Sequence, residues 1–133
     1  MRLPDWEARL DVVIAAYQGG VFIWGERDCL RLPLECAEAV TGRRFVHLVP
    51  AYRSGAGAAL ALRRRGFSGV GDALGSHFEE IAPAFAGRGD IGIVIEDGTE
   101  AGAVVLGAHV SGIGRTGLSI LPRSRVSRAF RVG

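Results

Sequence analysis

The spacing of apolar side chains changes along this chain at Pro83. Before that residue, apolar side chains recur every three or four positions, which is the spacing of one face of an α-helix. After it, Ile91, Ile93 and Ile95 alternate with smaller residues, which is the spacing of a β-strand. Helices followed by a run of strands predict an α+β fold in which one antiparallel-looking sheet packs against the helices.

The pattern predicts four helices and four strands. Pro33 falls just past the first turn of the second helix, where it cannot donate to the Cys29 carbonyl, so we expect a kinked or tightened turn there. A turn is expected over 96–102, the stretch EDGTEAG. The predicted helices are 6–17, 28–41, 54–65 and 69–81, and the predicted strands are 91–95, 103–110, 113–121 and 126–132.

Length, composition and charge favour one domain, 1–133, with a single core. The chain has 133 residues, of which 48% are apolar. A formal net charge of +2 is too small to indicate a nucleic-acid partner. The basic run 63–65 ends a predicted helix, where cations complement the helix dipole and stay solvated. The N-terminus lacks the pattern of a signal peptide, and no apolar run is long enough to span a membrane.

The two cysteines differ in their predicted surroundings. Cys29 and Cys36 are seven residues apart on one predicted helix, about 10 Å along its axis, which is too far for a disulfide. A reducing compartment fits this arrangement best. Cys36 is expected to be a buried spacer. Cys29 follows Asp28, a good N-cap, and the free amides of a helix start lower a thiol pKa. Position alone leaves Cys29 as either a nucleophile or a small core residue.

Several motifs resemble those of NlpC-type cell-wall cysteine peptidases, a bacterial and phage branch of the papain-like fold. FIWGERDCL resembles the segment around their nucleophile, and Gly89-Asp90 resembles the Gly-Asp pair that opens a strand. The whole layout, with a Gly-Leu in RTGLSILP and an aromatic-Arg-Val ending, resembles a short branch encoded among phage tail genes. The resemblance implies a papain-like (NlpC-type) fold with N-terminal helices packed on a C-terminal antiparallel sheet.

The resemblance also implies a chemistry and its residues. Cys29 would be the nucleophile attacking a peptide or isopeptide bond of peptidoglycan, a histidine the base, and Asp28 the residue that shapes the turn. No cofactor is implied. The implied partners are other phage tail-tip proteins and peptidoglycan, and the implied location is the virion tail, or the bacterial cytoplasm during assembly.

This sequence departs from the family pattern in its catalytic positions. Leu30 and Arg31 stand where the peptidases have Ser-Gly, and Phe22 stands where a tyrosine is usual. If VLGAHV is laid on the family pattern His-x-Gly-x-Tyr, the histidine position falls on Val105, which cannot act as a base.

His109 is the candidate that replaces the missing base. Residues 105, 107 and 109 share one face of the predicted strand 103–110, so His109 would point the same way as the usual base, about 7 Å further along. His47 and His77 are expected to be solvated, and the spacing of the histidines and cysteines does not indicate a zinc site.

Two hypotheses follow for the function. The first is a phage or prophage tail-tip structural or assembly subunit with lost or weakened catalysis. The alternative is an active cysteine peptidase or amidase that cleaves peptidoglycan stem peptides during cell-wall penetration. The departures at the base position favour the subunit, and the intact Asp28-Cys29 pair favours the enzyme.

Overall fold

The computed structural model describes residues 1–133 and contains four α-helices and one six-stranded sheet. Three short 3-10 turns, Val46–Leu48, Pro83–Phe85 and Arg123–Arg125, connect these elements. The helices are α1 Trp6–Tyr17, α2 Arg31–Thr41, α3 Gly55–Arg64 and α4 Val70–Gly75. The strands are β1 Glu80–Ile81, β2 Ile91–Glu96, β3 Thr99–Val105, β4 His109–Gly114, β5 Gly117–Pro122 and β6 Val126–Phe130.

The sheet is antiparallel throughout and has the strand order β1-β6-β2-β3-β4-β5. Strands β2 to β5 form a meander, and β6 returns to pair with the free edge of β2. Strand β1 pairs only with β6, at one end of the sheet. The predicted α+β class, with the longer helices preceding an antiparallel sheet, is confirmed.

The first three predicted helices are present. Helix α1 has the predicted bounds, and α3 begins after Ser54, whose hydroxyl accepts a hydrogen bond from the Gly57 amide at 3.0 Å. The predicted helix 69–81 is wrong in its second half, because α4 ends at Gly75. Glu80 and Ile81 instead pair with β6 as strand β1. Their pairing with a distant strand outweighs the local helical spacing.

The predicted strand 126–132 is present as β6, which ends two residues earlier, but the predicted boundaries of the strands 103–110 and 113–121 are wrong. The predicted strand 103–110 is the end of β3, a turn, and the start of β4, and 113–121 is also two strands joined by a turn. Glycines at positive φ mark both breaks: Gly107 at φ +97° lies in the first turn, and Gly117 at φ +116° begins β5 directly after the second turn. The turn predicted over 96–102 is confined to Asp97 and Gly98, because β3 begins at Thr99.

Two apolar clusters lie on opposite faces of the sheet. The larger one packs the helices on the sheet, and its fully buried side chains include Leu10, Leu32, Ile91 and Phe130. The smaller one lies on the other face and consists of Ala86, Val94, Ala103, Val105, Val110 and Ala129. None of the helices combines the length and the apolar character needed to cross a bilayer.

The Gly89-Asp90 pair joins the two ends of the chain. The nearly buried Asp90 carboxylate accepts hydrogen bonds from the Gly87 amide, the Val132 amide and the Arg2 guanidinium, each at 2.9 Å. Gly89 has φ +91°, and a Cβ there would come within 3.0 Å of the Arg2 guanidinium. In this structure, the motif therefore has a structural task at the entry to β2.

Candidate functional site

The turn before α2 is organised by the carboxylate of Asp28, which is fully buried. Its Oδ1 accepts hydrogen bonds from the amides of Leu30 and Arg31 at 3.0 and 2.9 Å. Its Oδ2 accepts from the Gly25 amide and from the Tyr52 hydroxyl, both at 2.8 Å. Asp28 thus binds the amides at the helix start in the manner expected of an N-cap, although α2 itself begins only at Arg31.

Cys29 lies in this turn and not in the first turn of the helix, so its predicted position is off by two residues. Pro33 is the third residue of α2 and has no amide hydrogen to offer the Cys29 carbonyl. That carbonyl faces Gly102 of β3: a Cβ on Gly102 would lie 2.2 Å from the Cys29 oxygen and 2.8 Å from Pro33 Cγ. Glycine at position 102 is therefore what allows the turn to approach the sheet.

The expected lowering of the Cys29 pKa is reversed. Burial, followed by the negative charge of Asp28, raises the pKa of the Cys29 thiol from 9.0 to about 11, although backbone hydrogen bonds from Gly102 and from Cys29 itself act in the opposite direction. The amides of Leu30 and Arg31 point to the Asp28 carboxylate. These helix-start amides, which would lower the pKa of a thiol, are thus bonded to Asp28 and not to Cys29. At neutral pH the thiol stays protonated.

Cys36 is fully buried in the larger apolar cluster. Burial, with a further contribution from the charge of Glu35, raises the pKa of the Cys36 thiol far above its ordinary value. The prediction of a buried spacer is confirmed for this residue.

Cys29 lies on the wall of an open cleft of about 630 Å³. The rings of Phe22 and Trp24 form an edge-to-face pair beside it, with centroids 4.7 Å apart. The rest of the lining comes from the β2–β3 hairpin and the β4–β5 hairpin, and its polar side chains are Glu96, Asp97, Thr99, Glu100, Arg115 and Ser119. No histidine lines this cleft.

The structure does not bring His109 to Cys29. Val105 ends β3 and His109 begins β4, so the premise that they share a face of one strand is wrong. Val105 pairs with Val110, which places His109 on the opposite face and level with Leu106. Leu106 is four residues along the chain from Gly102, about 14 Å in an extended strand. The exposed His109 therefore lies at the far end of the sheet from the cysteine turn.

The other two histidines are exposed and also lie outside the cleft. His47 is in the 3-10 turn Val46–Leu48, and His77 follows α4, in a turn and not on the helix that was predicted there. No group of three or more His, Cys, Asp or Glu side chains is arranged to hold a metal ion.

Sequence reasoning missed Glu100, a cleft residue whose carboxylate is bonded to two other elements. Its Oε1 accepts from the Gly71 amide at 3.0 Å, and its Oε2 accepts from Arg128 at 3.2 Å. Arg128 also donates to Glu80 at 2.9 Å and lies 3.8 Å from Asp72. These residues belong to α4, β1, β3 and β6, so only the sheet order brings them together.

Residues 1–132 match the model of one protein family, described as Domain of unknown function (DUF6950). No curated protein and no solved structure matches the chain. The family match includes every helix and strand described above, together with the cysteine turn and the cleft.

Proposed function

The chain belongs to the DUF6950 family, and we propose that it is a phage or prophage tail-associated domain with the papain-like, NlpC-type fold. In this proposal it serves as a structural or assembly subunit of the tail tip and has lost catalysis. It would act in the virion tail, and in the bacterial cytoplasm during assembly. The observation that carries the loss of catalysis is the cleft beside Cys29, which contains no histidine.

The arrangement of elements supports the papain-like part of the proposal. The cysteine turn precedes a helix that packs on the sheet through β3, and the Gly-Asp pair leads into the central strand β2. The Gly-Asp pair precedes a strand as in the motif resemblance, and Cys29 lies two residues before the helix that the resemblance expects to begin there.

The register of the sheet supports the loss of catalysis. The strand glycine that faces the Cys29 carbonyl is Gly102 and not Gly107. Laid on Gly102, the family pattern His-x-Gly-x-Tyr puts Glu100 at the histidine position and Val104 at the tyrosine position. The Glu100 carboxylate already accepts bonds from Arg128 and from a backbone amide, which makes it a poor acceptor for the thiol proton. With a thiol pKa of about 11, the nucleophile is not formed at neutral pH.

An active cysteine peptidase or amidase is the second candidate. The observation that favours it is the open cleft of about 630 Å³ beside the partly buried Cys29. Peptide hydrolysis by this site would have to use one of the cleft carboxylates as the proton acceptor, because no histidine lines the cleft.

Hydrolysis and particle assembly together distinguish the two candidates. The purified protein and its Cys29→Ala variant are incubated with peptidoglycan stem peptides, and the same substitution is introduced into the encoding phage or prophage. We expect no hydrolysis by either protein, normal infectious titre with Cys29→Ala, and loss of infectious tails on deletion of the gene. Hydrolysis that disappears in Cys29→Ala would establish the peptidase instead. Normal tails after deletion would reject the assembly role.

A further inference from the structure

A continuous part of the chain carries positive charge only. Residues 39–71 contain six arginines and no Asp or Glu, which leaves ten arginines against all 14 acidic residues in the rest of the chain. All six are exposed. The ion pairs of the structure use other arginines, namely Arg2, Arg9, Arg31, Arg88, Arg125 and Arg128. The positive charge of this segment is therefore not neutralised within the molecule.

Arg63 and Arg64 are the last two residues of helix α3, and Arg65, which follows them, lies at an open apolar pocket of about 230 Å³. Arg65 lines the pocket, and its Nη1 donates to the Leu48 carbonyl at 2.7 Å, which fixes the guanidinium against the rim. The apolar lining includes Leu34, Leu48, Val49, Leu62, Phe67 and Leu74. The pocket shares no lining residue with the Cys29 cleft.

We propose that this pocket and the three arginines beside it form a docking site for an acidic segment of a partner protein, which inserts one apolar side chain into the pocket. Protein interfaces combine an apolar centre with a polar rim and are enriched in arginine. The guanidinium fork matches a carboxylate in two parallel hydrogen bonds. A nucleic-acid backbone would meet the arginines but leave the apolar pocket unfilled. The proposal goes beyond the assembly role and does not depend on the state of the Cys29 cleft.

The probe is a fluorescein-labelled peptide of Asp and Glu residues around one central Phe, titrated with the full chain and followed by fluorescence anisotropy. Comparison probes are the same peptide with Ala in place of Phe, and a labelled DNA duplex. We expect the Phe peptide to bind roughly tenfold more tightly than the Ala peptide, because the ring leaves water for the pocket. Its affinity should fall as salt is added, because the arginines are exposed.

Matched variants locate the site on the surface. Arg63→Gln/Arg64→Gln should weaken binding of the Phe peptide roughly threefold to tenfold, because two exposed charges are lost from the end of α3 next to Arg65. Arg115→Gln/Arg131→Gln removes two exposed arginines outside the 39–71 segment that do not line the pocket, and it should weaken binding much less. Leu48→Ala should reduce the difference between the Phe and Ala peptides. Thermal unfolding of each variant confirms that it is folded.

The proposal is overturned if the Phe and Ala peptides bind equally, or if the two double variants weaken binding to the same extent. Tighter binding of the DNA duplex than of the Phe peptide would also overturn it, since the surface would then be a general site for polyanions. A tail that fails to assemble for other reasons affects the proposed function but leaves this binding measurement unchanged.

Discussion

Among single residues, Asp28 decides what the residue after it can do. Four hydrogen-bond donors converge on its buried carboxylate, two of them the amides at the start of α2. A thiol beside a free helix start would be stabilised as the thiolate, but here the negative charge of Asp28 adds to burial and opposes ionisation of Cys29. The same Asp-Cys sequence can therefore prepare a nucleophile or suppress one, depending on where the amides point.

The pKa of Cys29 predicts slow alkylation. A thiol with a pKa of about 11 in place of 9.0 has roughly a hundredfold smaller thiolate fraction at pH 7. Iodoacetamide labelling of Cys29, followed by peptide mass spectrometry, should be slow at pH 7 and accelerate as the pH approaches 11. Cys36, which is fully buried, should react more slowly still. Labelling of native Cys29 at pH 7 as fast as in the guanidinium-unfolded chain would contradict the raised pKa.

Tyr52→Phe removes one of the four donors to Asp28. The Tyr52 hydroxyl donates to Oδ2 at 2.8 Å in a buried position, and hydrogen bonds to charged groups contribute about 1.5–3 kcal/mol. We expect urea unfolding to show a loss of that size. Tyr17→Phe is the comparison variant, because its buried hydroxyl lies beside the Glu35 carboxyl without a hydrogen bond of good geometry and does not contact Asp28, so its removal should cost less. Equal losses in the two variants would show that the bond to Asp28 is not the cause.

Among the elements, the sequence predicts best those whose ends are marked by nearby capping residues or glycines and whose apolar spacing is unbroken. Helix α1 is bounded by Asp5 and by Gly19, and its apolar spacing is unbroken, so its bounds agree with the prediction. Phe78 and Ile81 keep the same helical spacing from Leu74, yet Ile81 belongs to a strand. Nothing local distinguishes the two outcomes, because the partner strand β6 lies more than forty residues away.

The candidate site likewise has one part that the local sequence predicts and one part that it does not. The Asp28-Cys29 motif before a helical pattern predicts the turn, whereas no local motif predicts the cleft. The approach of Gly102 and the place of Glu100 depend on the register of β3, and that register was hidden by an apolar run that continues through the β3–β4 turn. The prediction of one strand over 103–110 also put His109 on the same face as Val105, whereas His109 lies on the opposite face.

Gly102→Ala tests the contact between the cysteine turn and β3. The new methyl group would lie 2.2 Å from the Cys29 carbonyl oxygen, a distance that requires the backbone to move. Overpacking of this kind costs about 1–3 kcal/mol, so we expect a lower midpoint of thermal unfolding. Gly112→Ala on β4 is the control, because its methyl group would meet only ordinary contacts at 3.9 Å. An unchanged midpoint for Gly102→Ala would mean that the turn is not held against the strand.

Arg128 predicts a pH-dependent stability, since it joins β6 to β1, β3 and α4. Its hydrogen bonds lower the pKa of Glu80 below the ordinary 4.5. A carboxylate with a lowered pKa in the folded state stabilises the protein above pH 4.5, and this contribution is lost as the pH falls through the folded-state pKa. Arg128→Gln should therefore reduce the free energy of unfolding at pH 7 by about 1 kcal/mol, a modest value because the pair is partly exposed.

The difference between Arg128→Gln and the parent should become smaller in urea unfolding below pH 4.5. Arg125→Gln is the matched control, because Arg125 meets Glu96 only at 3.6 Å and both side chains are exposed. It should change the free energy of unfolding by less at every pH. A loss in Arg128→Gln that stays constant from pH 7 to pH 3 would show that the ion pair is not its source.

Across the whole molecule, the helical and strand halves are joined at both ends of the chain. Helix α1 packs on α2, and the residue that precedes it by four positions, Arg2, reaches β2 and the C-terminal segment. Because β6 is inserted next to β2, the last residues of the chain lie beside Asp90 at the start of that strand. Asp90 and Arg2 thus hold the two ends of the chain together, and their partners are distant in sequence.

Arg2→Ala should weaken the contact between the two ends of the chain. Arg2 donates to the Val132 carbonyl and to Asp90, both at 2.9 Å, and its guanidinium lies 4.3 Å from the centre of the Trp6 ring. Removing the cation from this partly buried ion pair leaves the buried Asp90 carboxylate unpaired and costs up to about 3 kcal/mol, which urea unfolding should detect. Amide hydrogen exchange should accelerate at Val132. Arg9→Ala, which breaks only an exposed pair on α1, should cost under about 1 kcal/mol. If the two variants lose the same stability and Val132 stays protected, the ends of the chain are held by apolar packing and not by Arg2.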